Sequence, residues 1–258
     1  MILKPNVAGI FYPSDKKDLL DMLKSLKERV DIKEIKDKIE DVRDIKALIA
    51  PHAGYIYSGL VAMYGYLTLK KIKLNLKTVL LWGPTHYYYF SGAYQPETYK
   101  YWETPLGKLA IEKYPSIPAN DAVFYREHSL EVHLPFIQFF YDNPKIKPLL
   151  FGNPYSLDDI NLKEDEVIIV SSDLSHYLPY DDAVKRDNET LQMIVNKDER
   201  RFLQQGDACG KYAILSLLSI ANKREWKVKV IKYNNSGDVI EDKSSVVGYS
   251  SVIFYEQK

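Results

Sequence analysis

Apolar residues along this chain fall into two kinds of run. Between Asp15 and Val30, Leu19, Leu20, Leu23 and Leu26 recur at helical spacing, which predicts an amphipathic helix. Ile45–Ala50, Thr78–Trp82 and Val167–Val170 are short, nearly unbroken apolar stretches rich in β-branched residues. Runs of that length read as strands covered on both faces, as in a largely parallel sheet. Helical patterns separate or follow them at Leu60–Lys71, around Leu134–Tyr141, at Asp181–Val195 and at Lys211–Asn222, with a shorter helix at Asp198–Gln204. The tail predicts two more strands, Lys227–Tyr233 and Val246–Tyr255, as an antiparallel pair across a turn at Asn234–Asp238. The fold class that follows is α/β. A single layered domain over residues 1–258 is expected, with a central mixed, mostly parallel sheet flanked by helices.

Composition narrows the function classes. Lys+Arg and Asp+Glu both number 35, so no net basic surface points to nucleic acid or an anionic membrane. The charge-rich stretch Lys24–Asp44 interleaves both signs and reads as a solvated face and connection. No segment has the roughly 20 apolar residues of a membrane span. A single cysteine, Cys209, rules out a disulfide within the chain; with no leader-like start, the expected location is cytoplasmic. The 21 tyrosines read as core-edge and interface residues, and a homodimer is an expectation from them.

The chemistry sits where the strands end. Ile45–Ala50 runs into Pro51-His52-Ala53-Gly54-Tyr55, Thr78–Trp82 into Gly83-Pro84-Thr85-His86, and Val167–Val170 into Ser171-Ser172-Asp173-Leu174-Ser175-His176. Ligands of open α/β sheets bind beyond the carboxyl ends of the strands. The remaining two histidines, His128 and His133, share one motif, Glu127-His128-Ser129-Leu130-Glu131-Val132-His133-Leu134-Pro135. Any one of these histidines alone could be a local strand cap, but the coincidence of all five favours a common site. If the fourth motif is helical, Glu127 and Glu131 share a face, and Pro135 starts or kinks the helix that follows. Cys209 precedes a helix between two nearby glycines. A helix N-terminus lowers a thiol pKa, so a metal-binding or reactive thiolate is expected there rather than an inert buried cysteine.

Two imidazoles at neighbouring strand ends, His52 and His86, suit a borderline metal. A third ligand from Cys209 or a carboxylate would leave a position open. Asp173 or Glu131 could orient a histidine through its second ring nitrogen, and His133 or His176 could act as general acid or base. The chain has no GxSxG, P-loop, GxGxxG or HExxH motif.

Together with Ala8-Gly9-Ile10-Phe11-Tyr12-Pro13 and Cys209-Gly210, these motifs resemble the Memo family from Ala8 to Ile253. In prokaryotes that family is also called the B component of the AmmeMemoRadiSam system. The resemblance implies a fold similar to class III extradiol dioxygenases, which use two His and a Glu to hold ferrous iron. The family's metal residues carry over onto His52, His86 and Cys209, and its other pocket residues onto Asp173, His176 and His133. A cysteine in place of the carboxylate departs from the dioxygenase pattern and admits copper as well as iron. The implied cofactor is iron(II), with copper or zinc as alternatives. The implied partners are a small-molecule or peptide ligand in the pocket and functional association with a radical SAM protein. The expected function is a metal-dependent redox protein. The alternatives are a non-catalytic peptide or anion-binding module, with Tyr87-Tyr88-Tyr89-Phe90 as a wall, and a metal-assisted hydrolase.

Overall fold

The computed structural model describes residues 1–258. In chain order its elements are β1 (Ile2–Leu3), α1 (Lys16–Glu28), α2 (Ile32–Lys38), β2 (Val42–Ala50), α3 (Tyr55–Ile72), β3 (Thr78–Pro84), β4 (Ala93–Tyr94), β5 (Tyr101–Thr104) and β6 (Gly107–Ala110). There follow α4 (Leu134–Phe140), β7 (Lys145–Phe151), β8 (Glu166–Ser171), β9 (His176–Leu178), α5 (Tyr180–Val195), α6 (Glu199–Gln205), α7 (Lys211–Lys223), β10 (Lys227–Asn235) and β11 (Val246–Gln257).

The main sheet has eight strands, ordered β10-β11-β2-β8-β3-β7-β4, with β9 added against β11. Its centre, β2-β8-β3-β7, is parallel throughout, and every residue of β3 and β8 is buried. That is why these strands read as unbroken apolar runs: helices cover both faces. The antiparallel strands lie outside this centre, with β11 on β2, β10 on β11 and β4 on β7. One apolar layer joins one face of the sheet to α1, α3 and α4; the other joins the opposite face to α5, α6 and α7. A separate three-stranded sheet, β1-β5-β6, was not foretold by the pattern, because its strands have only two to four residues.

Helix α3 begins at Tyr55, five residues before the apolar periodicity predicts. The Tyr55 amide donates to the Phe11 carbonyl at 2.8 Å, so a distant segment caps the helix start. The helix is buried nearly all round, and Gly65 is where it meets the sheet. A Cβ there would come within 2.6 Å of Ser251 Oγ and 2.9 Å of Leu48 Cδ1. The charged stretch Lys24–Asp44 becomes the end of α1, all of α2 and the start of β2. Asp31 caps α2 and Glu34 pairs with Lys38 and Lys232.

Because β2, β3 and β8 run parallel, their carboxyl ends emerge at one edge. His52 follows β2 by two residues, His86 follows β3 by two, and Asp173 follows β8 by two. The sheet thus delivers three motifs to one place.

Candidate metal centre

His52, His86 and His128 converge. One ring nitrogen of each lies within 4.8 Å of the other two. His52 is buried, His128 half-buried and His86 exposed, so the cluster opens to solvent on one side. The rings of His86 and His128 stack at 4.7 Å, and both meet His52 edge-on.

Hydrogen bonds fix the proton positions on two of these rings. Ser171 Oγ donates its one proton to the Ser129 carbonyl at 2.7 Å, so it must accept from His52 Nδ1, also at 2.7 Å. His52 Nε2 is left as a lone pair directed into the cluster. Glu127 binds His86 twice, its Oε2 accepting from the backbone amide at 2.6 Å and its Oε1 meeting Nδ1 at 2.9 Å. A carboxylate only accepts, so Nδ1 carries a proton, and in the neutral form of the ring Nε2 is the free lone pair. Burial raises the pKa of Glu127, but the hydrogen bond and charge of His86 and the Ser129 and His86 amides outweigh it. The net value is below that of an ordinary carboxylate.

Asp173 and Cys209 close the other side of His52. The His52 amide donates to Asp173 Oδ1 at 2.9 Å. Cys209 Sγ lies 3.5 Å from His52 Nε2 and accepts from the Asp173 amide at 3.1 Å. Gly210 makes this fit possible: a Cβ there would lie 2.5 Å from the Ser171 carbonyl oxygen. Burial drives every group here toward its neutral form. It raises Asp173 to about 7 and pushes His52 well below its ordinary value, helped by His86, His128, His133 and His176. With His52 uncharged near pH 7, Asp173 Oδ2 and His52 Nε2, 3.9 Å apart, are not an ion pair there.

The expectation of a depressed thiol pKa is overturned. Burial, and then the Asp173 carboxyl, push Cys209 well above the usual thiol value. Desolvation outweighs the helix N-terminus and favours the neutral thiol.

The Glu127–Pro135 motif is not one helix. Arg126 adopts a left-handed φ of +64°, Glu131–His133 form a single 3-10 turn, and α4 begins only at Leu134 with Pro135 in its first turn. The two glutamates therefore diverge. Glu131 accepts from the amides of Asn6 and Val7 and from Tyr12 Oη at 2.6, 3.0 and 2.7 Å, so its carboxylate anchors the N-terminal segment. That segment places Phe11 against His128, with ring centres 4.9 Å apart.

His133 is fully buried, its Nδ1 2.9 Å from Tyr66 Oη, and burial lowers its pKa to about 3. His176 is exposed on β9, and its pKa is lowered, chiefly by desolvation. Sequence reasoning assigned no part to Glu127, Ser171 or Phe11. The doubled carboxylates of the motif were a signal for Glu127, but a helical reading could not separate it from Glu131.

Fold and site together define an α/β protein with a histidine-lined centre at the carboxyl edge of a parallel sheet. A family model described as "Memo-like protein" matches residues 4–253. The relatives include a "MEMO1 family protein" of Aquifex aeolicus, 35% identical over 98% of this chain and 99% of its own length. Another, from Caldivirga maquilingensis, is 33% identical with the same coverage, and one from Thermoplasma volcanium is 32% identical over 100% of both chains. The chain belongs to the Memo-like protein family.

Proposed function

We propose that the chain is a metal-dependent redox protein whose centre is held by His52 and His86, with His128 and Cys209 as flanking donors. Iron(II) is the metal we favour, with copper or zinc as alternatives. The observation that carries this reading is the tautomer of two neighbouring rings: Ser171 holds Nδ1 of His52 and Glu127 holds Nδ1 of His86, which leaves Nε2 of each neutral ring as its free donor, and the ring centres lie 5.2 Å apart. A neutral imidazole whose other nitrogen donates to a carboxylate or hydroxyl is the usual form of a metal-ligating histidine. The donor set fits a borderline cation, and the thiol of Cys209 extends the fit to softer ions.

Such a metal, when bound, supplies an open coordination position for a small oxidant or a chelating substrate. The chain's own residues then divide the remaining work. Glu127 and Ser171 hold the two ligating rings. Asp173, buried and hydrogen-bonded to the His52 amide, is placed to hold or release a proton beside them. His176 at the rim is placed to contact a ligand as it enters, and a small molecule or peptide is the ligand class proposed.

The exposed Tyr87 and Tyr89 beside His86 favour one second reading, a non-catalytic module that binds a peptide or anionic ligand over the same mouth. Elemental analysis of protein purified anaerobically without added metal tests the first reading. Near one equivalent of iron or copper is expected, and its loss in a His52→Ala, His86→Ala double variant. Unchanged metal content and affinity in that variant would sink the metal reading. Ligand binding that survives chelation would favour the module.

A further inference from the structure

The three clustered histidines are not held alike. The ring of His52 is pinned by Ser171 and that of His86 by Glu127. Neither ring nitrogen of His128 is hydrogen-bonded. Its Nδ1 lies 3.6 Å from Glu127 Oε1, which already serves His86 Nδ1 and the amides of His128 and Ser129. Ring contacts hold His128 in place of hydrogen bonds: His86 stacked at 4.7 Å, Phe11 tilted at 4.9 Å and, edge-on, His52 at 5.5 Å and Tyr87 at 6.4 Å. Its backbone is fixed at both ends, the amide by Glu127 and the carbonyl by the Val132 amide at 3.2 Å. Freedom is therefore confined to the side-chain torsions.

The spacing agrees. Metal–nitrogen bonds of about 2.0–2.1 Å put two imidazole nitrogens of a tetrahedral site roughly 3.3–3.4 Å apart, and an imidazole and a thiolate about 3.5–3.6 Å apart. Cys209 Sγ already stands 3.5 Å from His52 Nε2. The histidine donor atoms lie within 4.8 Å of one another, a looser limit than that spacing, so drawing all three onto one ion calls for a ring that can adjust. The unpinned ring is the one free to do so.

We propose that His128 is the displaceable donor of this centre. It occupies the open position when the site is at rest and yields it to a small anionic or neutral donor ligand. This rests on the metal reading above. The step is ligand exchange without electron transfer: the bond from the ion to the His128 nitrogen breaks as the bond to the incoming ligand forms. Phe11 and Tyr87 receive the released ring, and the exposure of Tyr87 leaves room at the mouth.

The test uses the full chain loaded with cobalt(II), azide as the incoming ligand, and visible and X-ray absorption as readouts. Wild type should show three imidazole ligands without azide and two at saturation. His128→Ala and His128→Gln should each bind azide at least tenfold more tightly than wild type, while keeping cobalt affinity within tenfold. Unchanged azide affinity, or a third imidazole that persists at azide saturation, would overturn the proposal. So would a loss of cobalt affinity in the His128 variants as complete as in His52→Ala, which would make His128 a fixed anchor. The metal reading itself fails separately, if His52→Ala retains wild-type cobalt affinity.

Discussion

Glu127 grips His86 at two points, accepting from its backbone amide at 2.6 Å and from its ring Nδ1 at 2.9 Å. The same carboxylate takes the amides of His128 and Ser129 at 2.9 and 2.8 Å. One buried side chain thus sets the backbone of two motifs and the tautomer of one ring. The loop after β3 and the loop before α4 are locked to each other through it. Ser129 adds to the lock by donating from Oγ to the Pro84 carbonyl at 2.9 Å.

Glu127→Gln separates orientation from shape. The amide keeps the volume, but its NH2 cannot accept from a ring N–H or a backbone amide. Metal affinity should fall by about 10–100-fold, as for other residues that orient a ligating histidine. Stability should fall by only about 1–3 kcal/mol for the hydrogen bonds left unmade. Metal titration and thermal melting of the same sample check both. Affinity within twofold of wild type would remove Glu127 from the site.

Glu131→Ala should behave in the opposite way. Its carboxylate accepts from two N-terminal amides and the Tyr12 hydroxyl, and the residue is fully buried. Truncation strands those donors, at a cost of about 1–3 kcal/mol for each that water does not reach. A drop in denaturation midpoint is expected, with protease sensitivity appearing first in residues 1–14. Stability equal to wild type would show that the N-terminal segment is held by other contacts.

Much of the fold was legible because the central strands and the amphipathic helices each carry a clear period. Ile45–Ala50, Thr78–Trp82 and Val167–Val170 all lie within strands of the parallel core. The convergence of His52, His86 and Asp173 was also legible, since parallel strands must end at one edge. What sequence did not disclose depends on where chains cross. The divergence of Glu127 and Glu131 follows from a left-handed Arg126 and a 3-10 turn, neither of which has a spacing signature. Cys209 reads as an activated thiol from its helix alone, and only the burial and the neighbouring Asp173 carboxyl reverse the sign. His128 becomes a member of the cluster through the fold of that same turn.

At the opposite edge of the sheet, Lys73 is nearly buried and pairs with Asp44 at 2.8 Å. Burial raises the pKa of Asp44, but its hydrogen bonds and charge interactions with Lys73 and Lys46 outweigh that and leave it below the ordinary 3.8. A folded-state pKa below the unfolded one means that Asp44 contributes stability above about pH 4, and loses it as pH falls through the folded value. Asp44→Asn should therefore lower stability near pH 7 by about 2–3 kcal/mol. That is less than the 3–5 kcal/mol typical of a buried pair, because Asp44 is partly solvated. The difference between the variant and wild type should shrink steadily as pH falls below about 4. Urea midpoints measured across pH 2–8 check this, and a difference that stays constant down to pH 2 would contradict the ion-pair account.

Gly65→Ala sets helix propensity against packing on α3. Alanine in a helix interior is favoured over glycine by about 1 kcal/mol. Here, however, the added Cβ would stand 2.6 Å from Ser251 Oγ and 2.9 Å from Leu48 Cδ1, both on strands of the main sheet. Ser251 Oγ is itself committed, donating to the Val61 carbonyl at 2.6 Å, so it cannot move without leaving that bond. Overpacking a filled core costs about 1–3 kcal/mol, and the displaced hydroxyl adds about 1 kcal/mol more. The packing loss should win, with a net destabilisation of about 1–3 kcal/mol. The double variant Gly65→Ala, Ser251→Ala should recover part of it, because the nearest clash is then removed. Equilibrium denaturation of the two variants and wild type measures both terms. A stabilised single variant would mean that α3 can move off the sheet, and that the close approach at Gly65 is not a constraint on the fold.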